Sequence, residues 1–81
     1  MKIRVQFYSR LKDIAGSDLV EWEVSEGTTV GELVQQLCER YPGLEQWRPH
    51  LLVAIGLDYA TAETPLHEGA EVSIMPPVQG G

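Results

Sequence analysis

Ala70-Glu71-Val72-Ser73-Ile74-Met75-Pro76-Pro77-Val78-Gln79-Gly80-Gly81 stands at the end of the 81-residue sequence, and the rest of the chain is organised around it. Its first half alternates, with Val72 and Ile74 on one side and Ser73 and Met75 on the other, which predicts a strand buried on one face. Two prolines cannot continue that strand: neither has an N–H for the ladder, and both hold φ at about −65°. The chain is expected to leave the sheet there as a stiff polyproline II-like stub that does not collapse back onto the fold. The domain is therefore read as residues 1–75 and the tail as 76–81. Pro76 and Pro77 stiffen the tail, Val78 and Gln79 carry it into a partner's groove with Val78 as anchor, and Gly80 and Gly81 form a tip without side chains. Such a tip can enter a channel too narrow for a Cβ. The functional group expected there is the Gly81 α-carboxylate. A frayed end is the plainer reading, because termini are often disordered. It leaves the order of strand, proline stop and glycine tip unexplained.

A chain of this length is one domain with room for a single sheet and one or two helices. At 43% hydrophobic and 22% charged it is too apolar to stay disordered. No apolar run approaches a membrane span, and the start Met1-Lys2-Ile3-Arg4 lacks the h-region of a signal peptide, so a soluble, cytoplasmic protein is expected. The one cysteine, Cys38, excludes an internal disulfide, and His50 and His67 make no metal-ligand spacing with it. The formal net charge is −6, with Lys2, Arg4, Arg10 and Lys12 gathered in the first twelve residues and every acid later. An acidic body argues against nucleic acid or an anionic membrane and favours a basic protein surface.

Working back along the chain, Lys2 to Tyr8 alternates with Ile3, Val5 and Phe7 inward, and Leu19 to Val24 with Val20, Trp22 and Val24 inward, which predicts an antiparallel pair. Ser9 to Ala15 between them is at most a short turn of helix ending at Gly16. Thr29-x-x-Glu32 has the spacing of a capping box, opening a helix that runs to about Tyr41 with Val30, Leu33, Val34, Leu37, Cys38 and Tyr41 on one stripe. Pro42-Gly43 ends it. On that stripe Cys38 reads as a core residue and not a nucleophile. Leu44 to His50 is expected to be a loop with room for a helical turn, with Trp47 over one edge of the core. Leu51-Leu52-Val53-Ala54-Ile55 is apolar throughout, so Leu52 and Ala54 on its outer side predict an exposed patch for a partner. Gly56 to Tyr59 reads as a turn, Ala60 to Thr64 as a short edge strand, and Pro65 to Gly69 as a loop. The fold class is α+β: a mixed sheet of four or five strands covered on one face by one main helix, with the first and last strands as its central pair.

These residues resemble a known family. The opening Ile3-Arg4-Val5-Gln6-Phe7-Tyr8-Ser9-Arg10-Leu11 with Ala15-Gly16, the helix start Gly27-Thr28-Thr29-Val30-Gly31-Glu32-Leu33, the segment Arg40-Tyr41-Pro42-Gly43-Leu44, and the ending Thr64-Pro65-Leu66, Gly69-Ala70-Glu71-Val72 and Pro76-Pro77-Val78-x-Gly80-Gly81 are similar to the MoaD/ThiS family of ubiquitin-like β-grasp sulfur carriers. The match is to the molybdopterin synthase branch, MoaD, more than to ThiS. One departure is Gly56, where the family usually has asparagine; Gly56 can take the same positive φ, so the turn is expected to survive without the side-chain hydrogen bond.

The resemblance implies a mechanism. A MoeB-like activating enzyme uses ATP to convert the Gly81 carboxylate to an acyl-adenylate, and a sulfur donor displaces AMP to leave a thiocarboxylate. The tail then threads into the large subunit of molybdopterin synthase (MoaE-like), in a heterotetramer, and delivers sulfur to a cyclic pyranopterin monophosphate for the molybdopterin dithiolene. No bound cofactor and no metal are implied on this chain, which is a co-substrate more than an enzyme. Met75, Leu52, Tyr59 and Tyr8 are expected to form the apolar docking patch, with Lys12 and Arg10 at its rim. A carrier for thiamine or tRNA thiolation, a protein modifier joined to lysines through Gly81, and an interaction domain with an inert tail are the rival readings.

Overall fold

A computed structural model of the chain describes residues 1–77. Its elements are β1 (Lys2–Phe7), α1 (Arg10–Ala15), β2 (Leu19–Glu23), α2 (Val30–Arg40), a 3₁₀ segment (Pro42–His50), β3 (Leu52–Ile55), β4 (Asp58–Tyr59) and β5 (Glu71–Met75). The strands form one five-stranded sheet in the order β2-β1-β5-β3-β4. The β1–β5 pair is parallel, with Val5 beside Val72 and Phe7 beside Ile74, and the remaining pairs are antiparallel. The expected central pair is thus formed by the two ends of the domain.

Alternation decides which face is covered. Ile3, Val5, Phe7, Val72 and Ile74 are all buried, and they meet Val30, Leu33 and Leu37 of α2 together with Leu11 of α1 and Leu44 of the 3₁₀ segment in one core. Burying each such side chain contributes about 1.5–3 kcal/mol. Phe7 meets Tyr41 edge to face at 5.7 Å, and the Trp22 indole N–H donates to Gln36 Oε1 at 2.9 Å, which ties β2 to α2. The opposite face carries Arg4, Gln6, Glu21 and Glu71 and has no covering element among the described residues.

The start of α2 is tied down from two directions. Within the helix the capping box forms as its spacing predicts: the Glu32 N–H donates to Thr29 Oγ1 at 3.3 Å, and the Thr29 N–H to Glu32 Oε1 at 2.9 Å. From outside, the Val30 N–H donates to the Thr64 carbonyl and the Gly31 N–H to the Ala62 carbonyl, both at 2.9 Å. The expected edge strand over Ala60 to Thr64 does not form, and these bonds are the reason. Its carbonyls turn toward the free N–H groups of the helix, and Thr61–Thr64 closes into a turn through the Thr64 N–H to the Thr61 carbonyl. The edge strand is instead Asp58–Tyr59, joined to β3 by Gly56-Leu57, with Gly56 at φ 60°. Close approach also fixes Gly31, where a Cβ would stand 3.1 Å from Ala62 Cβ. The helical turn for which the loop over Leu44 to His50 is expected to have room is longer than a single turn: Pro42 begins a 3₁₀ run extending to His50. Pro42 stands at its first turn, where a missing N–H costs nothing.

Cys38 is buried at 5% exposure in the core, and burial foremost, then the Glu45 carboxylate, pushes its thiol above the usual range while Arg48 opposes weakly. The unfolded chain ionises first as pH rises, so this group lowers stability above about pH 8.5 and is neutral in effect below it. Native protein is expected to react with iodoacetamide at pH 8 at least about ten-fold more slowly than protein unfolded in urea, and Cys38→Ala to flatten the alkaline loss of stability. Equal alkylation rates would place the thiol at the surface. Thr29→Ala removes one half of the capping box and is expected to cost about 1 kcal/mol, read as a melting temperature lower by about 4–8 °C.

Candidate functional site: the tail root and the open sheet face

The last strand is held on both sides up to its final residue. Leu52 pairs with Met75 across β3, and the Tyr8 N–H donates to the Ile74 carbonyl at 3.1 Å from β1. Pairing then stops at Pro76, as two residues without donors require. Pro76 and Pro77 do not stand clear of the fold as a free stub would. Both are half-buried and line a cavity of about 510 Å³ with Ser9, Arg10 and Trp47. The reason is topological: the β1–α1 turn and the 3₁₀ segment flank the point where β5 ends. Val78, Gln79, Gly80 and Gly81 lie outside the described residues.

Two features of that wall are not visible in the sequence pattern. Ser9 has φ 54° and ψ −134°, the one non-glycine positive φ among the described residues. Such a conformation costs about 1–3 kcal/mol and persists only where neighbours hold it. Here the flanking Tyr8 N–H and the Ser9 carbonyl, which accepts from the Lys12 N–H at 3.1 Å, do so. The Trp47 indole Nε1 is buried and has no acceptor among the described residues, which leaves a donor unspent at a cost of about 1–3 kcal/mol.

Tyr8, Leu52, Tyr59 and Met75 map onto the open face, and the two cations predicted for its rim do not. Leu52 and Met75 are direct cross-strand partners and half-buried, and Tyr59 stands opposite Ala54 and is 73% exposed. Tyr8 lies at the end of β1 and lines a shallow depression with Gln6, Ser73 and Leu19. Lys12 does not join them: it is exposed on α1, whose inward residue Leu11 is in the core. Arg10 lies at the tail root, with no carboxylate within ion-pair distance among the described residues.

The character of the patch also differs from expectation. Ala54 is buried at 9% exposure, because strands flank it on both sides with Ser73 and Tyr59 opposite. The exposed large apolar groups are Tyr8, Leu19, Leu57 and Tyr59. Leu19 follows from the alternation of β2, while Leu57 at the hairpin tip, fully exposed, falls in a segment read only as a turn. Lys2 and Arg4 do not form a basic patch, since they stand opposite Glu23 and Glu21, with Arg4 Nη1 also 4.0 Å from Glu71. The open face is therefore charge-balanced along β1 and apolar toward β3, β4 and the tail.

Among the described residues, no group of three or more His, Cys, Asp or Glu is placed to hold a metal, and no helix is long and apolar enough to cross a membrane. Among the described residues the candidate site is the end of β5, paired on both sides, with the half-buried Pro76 and Pro77 and the apolar part of the open face beside it.

Comparison with known proteins places the fold and the family. The molybdopterin synthase sulfur carrier subunit of Mycobacterium tuberculosis is 33% identical over 82 residues, covering 100% of this chain and 99% of the relative. Small archaeal modifier protein 3 of Haloferax volcanii is 30% identical over 95 residues, covering all of both. Among solved structures, SAMP1 of Haloferax volcanii superposes over the whole of both chains with a TM-score of 0.86 at 27% identity. A chain of the complex of subunits 1 and 2 of the molybdopterin-converting factor of Helicobacter pylori does so with a TM-score of 0.72 at 24% identity, again over the whole of both chains. Residues 5–81 match the ThiS family. The chain belongs to the ThiS family, the ubiquitin-like β-grasp sulfur carriers.

Proposed function

We propose that this chain is the sulfur carrier subunit of a molybdopterin synthase, with Gly81 as its reacting residue. The observation that carries the reading is the Pro76-Pro77-Val78-Gln79-Gly80-Gly81 ending, set directly on a strand paired on both sides and beside an apolar open face. One Gly81 carboxylate oxygen attacks the α-phosphate of ATP in a MoeB-like activating enzyme, and pyrophosphate leaves. Hydrosulfide, or the terminal sulfur of a donor persulfide, then attacks the acyl carbon and AMP leaves with the oxygen. Hydrosulfide gives the thiocarboxylate directly, and a persulfide gives an acyl disulfide whose S–S bond a second thiol cleaves, leaving the thiocarboxylate and a disulfide. The chain supplies no nucleophile and base of its own to this sequence; it supplies reach and fit. Gly80 and Gly81 pass a channel that excludes side chains, and Tyr8, Leu52, Tyr59 and Met75 seat the domain on a MoaE-like large subunit, in a heterotetramer, while sulfur passes to a cyclic pyranopterin monophosphate. The subunit complex of the Helicobacter pylori relative supports a partner of this kind.

The likeness to a small archaeal modifier protein favours one second reading, attachment to protein lysines through the same acyl-adenylate. An isopeptide-linked adduct at Gly81 in cell extract is its signature.

The deciding measurement is the intact mass of untagged protein after incubation with an activating enzyme, ATP and a sulfur source. A species about 16 Da heavier, localised to Gly81, is expected from exchange of one oxygen for sulfur. A protein that stays at its starting mass would remove the carrier reading. Gly80→Trp is expected to leave the melting temperature unchanged and to slow sulfur transfer by about 100-fold or more. Met75→Glu is expected to weaken binding to the large subunit by at least about ten-fold, and unchanged affinity would place the docking face elsewhere.

A further inference from the structure

We propose that Trp47, with Ser9 and Arg10, is the platform on which the tail root rests, and that it fixes the direction in which the residues beyond Pro77 leave the domain. Its effect on reactivity rests on the sulfur carrier reading; the contact itself does not.

The geometry comes from three separate segments. Trp47 belongs to the 3₁₀ segment, packs against the core beside buried Leu44, and shares one cavity wall with Pro76 and Pro77. Ser9 and Arg10 close that wall from the β1–α1 turn, where the unusual backbone of Ser9 starts α1 at Arg10, beside the tail. Arg10, Trp47 and Pro77 continue into an adjoining groove of about 640 Å³. The Trp47 ring has no hydrogen bond to orient it among the described residues, so its attitude is set by what it packs against. Proline rings and an indole face are both flat and apolar, and Pro76 and Pro77, which line the same cavity, are half-buried.

A fixed root matters because of leverage. The four residues beyond Pro77 reach about 12 Å when extended, at about 3.1 Å each. If the root swings freely, Gly81 is spread over a hemisphere of that radius. If it is held within a cone of about 20° half-angle, the accessible area falls by about 15-fold, and the concentration of the terminus in front of a docked partner rises in proportion. This gain acts on productive encounter and leaves the chemical step at Gly81 untouched. Trp47 is accordingly a positioning residue, far from Gly81 in sequence and acting through Pro76 and Pro77.

The test uses the full chain in a Trp22→Phe background, where Trp47 is the remaining tryptophan. Replacing both Pro76 and Pro77 with glycine is expected to shift Trp47 emission to longer wavelength; an unchanged spectrum overturns the contact. The second arm is ATP–pyrophosphate exchange with a MoeB-like activating enzyme. Trp47→Ala is expected to raise the KM for the carrier by about ten-fold with kcat within about two-fold, and Trp47→Phe to restore it. Circular dichroism confirms that each variant is folded. If wild-type chain supports exchange and Trp47→Ala leaves its KM unchanged, the platform has no role and the proposal fails. If wild-type chain supports no exchange, the carrier reading fails, and the emission of Trp47 alone decides the platform.

Discussion

The parallel pairing of β1 with β5 is the interaction on which the rest of the structure depends. It joins the two ends of the domain in the middle of the sheet, and the Lys2 N–H reaches Glu68 Oε2 across 66 residues at 3.1 Å. Closing so long a loop costs little more than closing one half as long, since the entropy grows only with the logarithm of length. What the pairing demands is a crossover that returns the chain in the same direction, and α2 with the 3₁₀ segment and β3 provides it. Once β5 lies between β1 and β3, its end is held on both sides. Two prolines placed there give a tail whose first residues inherit the rigidity of the sheet. A tail on an edge strand or a loose helix would inherit none.

The same crossover explains why α2 begins where it does. A helix start leaves free N–H groups, and here they are satisfied partly by the Thr29–Glu32 box and partly by the carbonyls of Ala62 and Thr64. The return segment is thereby fixed against the helix, leaving an edge strand of only two residues. A short edge offers little template for pairing with another chain. The open face keeps its apolar groups near β3, β4 and the tail, and along β1 it sets bases opposite acids.

Much of this is legible in the sequence because the signals are local. Alternation in Ile3-Arg4-Val5-Gln6-Phe7 and Glu71-Val72-Ser73-Ile74-Met75 carries both strands and their buried faces, and Thr29-x-x-Glu32 carries the helix start at the level of individual hydrogen bonds. What escapes is set by partners distant in the chain. Ala60 to Thr64 has a plausible strand pattern, and only the presence of α2's N–H groups turns its carbonyls away from a sheet. Ala54 looks exposed by alternation and is covered by its cross-strand neighbours. Trp47 is legible as an edge of the core, but nothing local indicates that it shares a wall with Pro76 and Pro77. Ser9 gives no warning of its backbone, because the strain is imposed by the turn between β1 and α1.

The division of labour within the chain follows from where its polar chemistry is placed. Cys38, the one thiol, is buried, and that burial pushes it above the usual range and disfavours the thiolate, so under the proposed function the scaffold offers the activated tail no competing nucleophile. An acyl-adenylate at a glycine terminus can be captured by sulfur or by a lysine amine, and the terminus cannot distinguish them: a residue without a side chain offers nothing to read. Selectivity between a carrier and a modifier must therefore reside in what the domain docks against. Under the proposed function, that is the face around Tyr8, Leu19, Leu52, Leu57, Tyr59 and Met75, together with the proposed platform at the tail root, because these would decide which active site the terminus can enter.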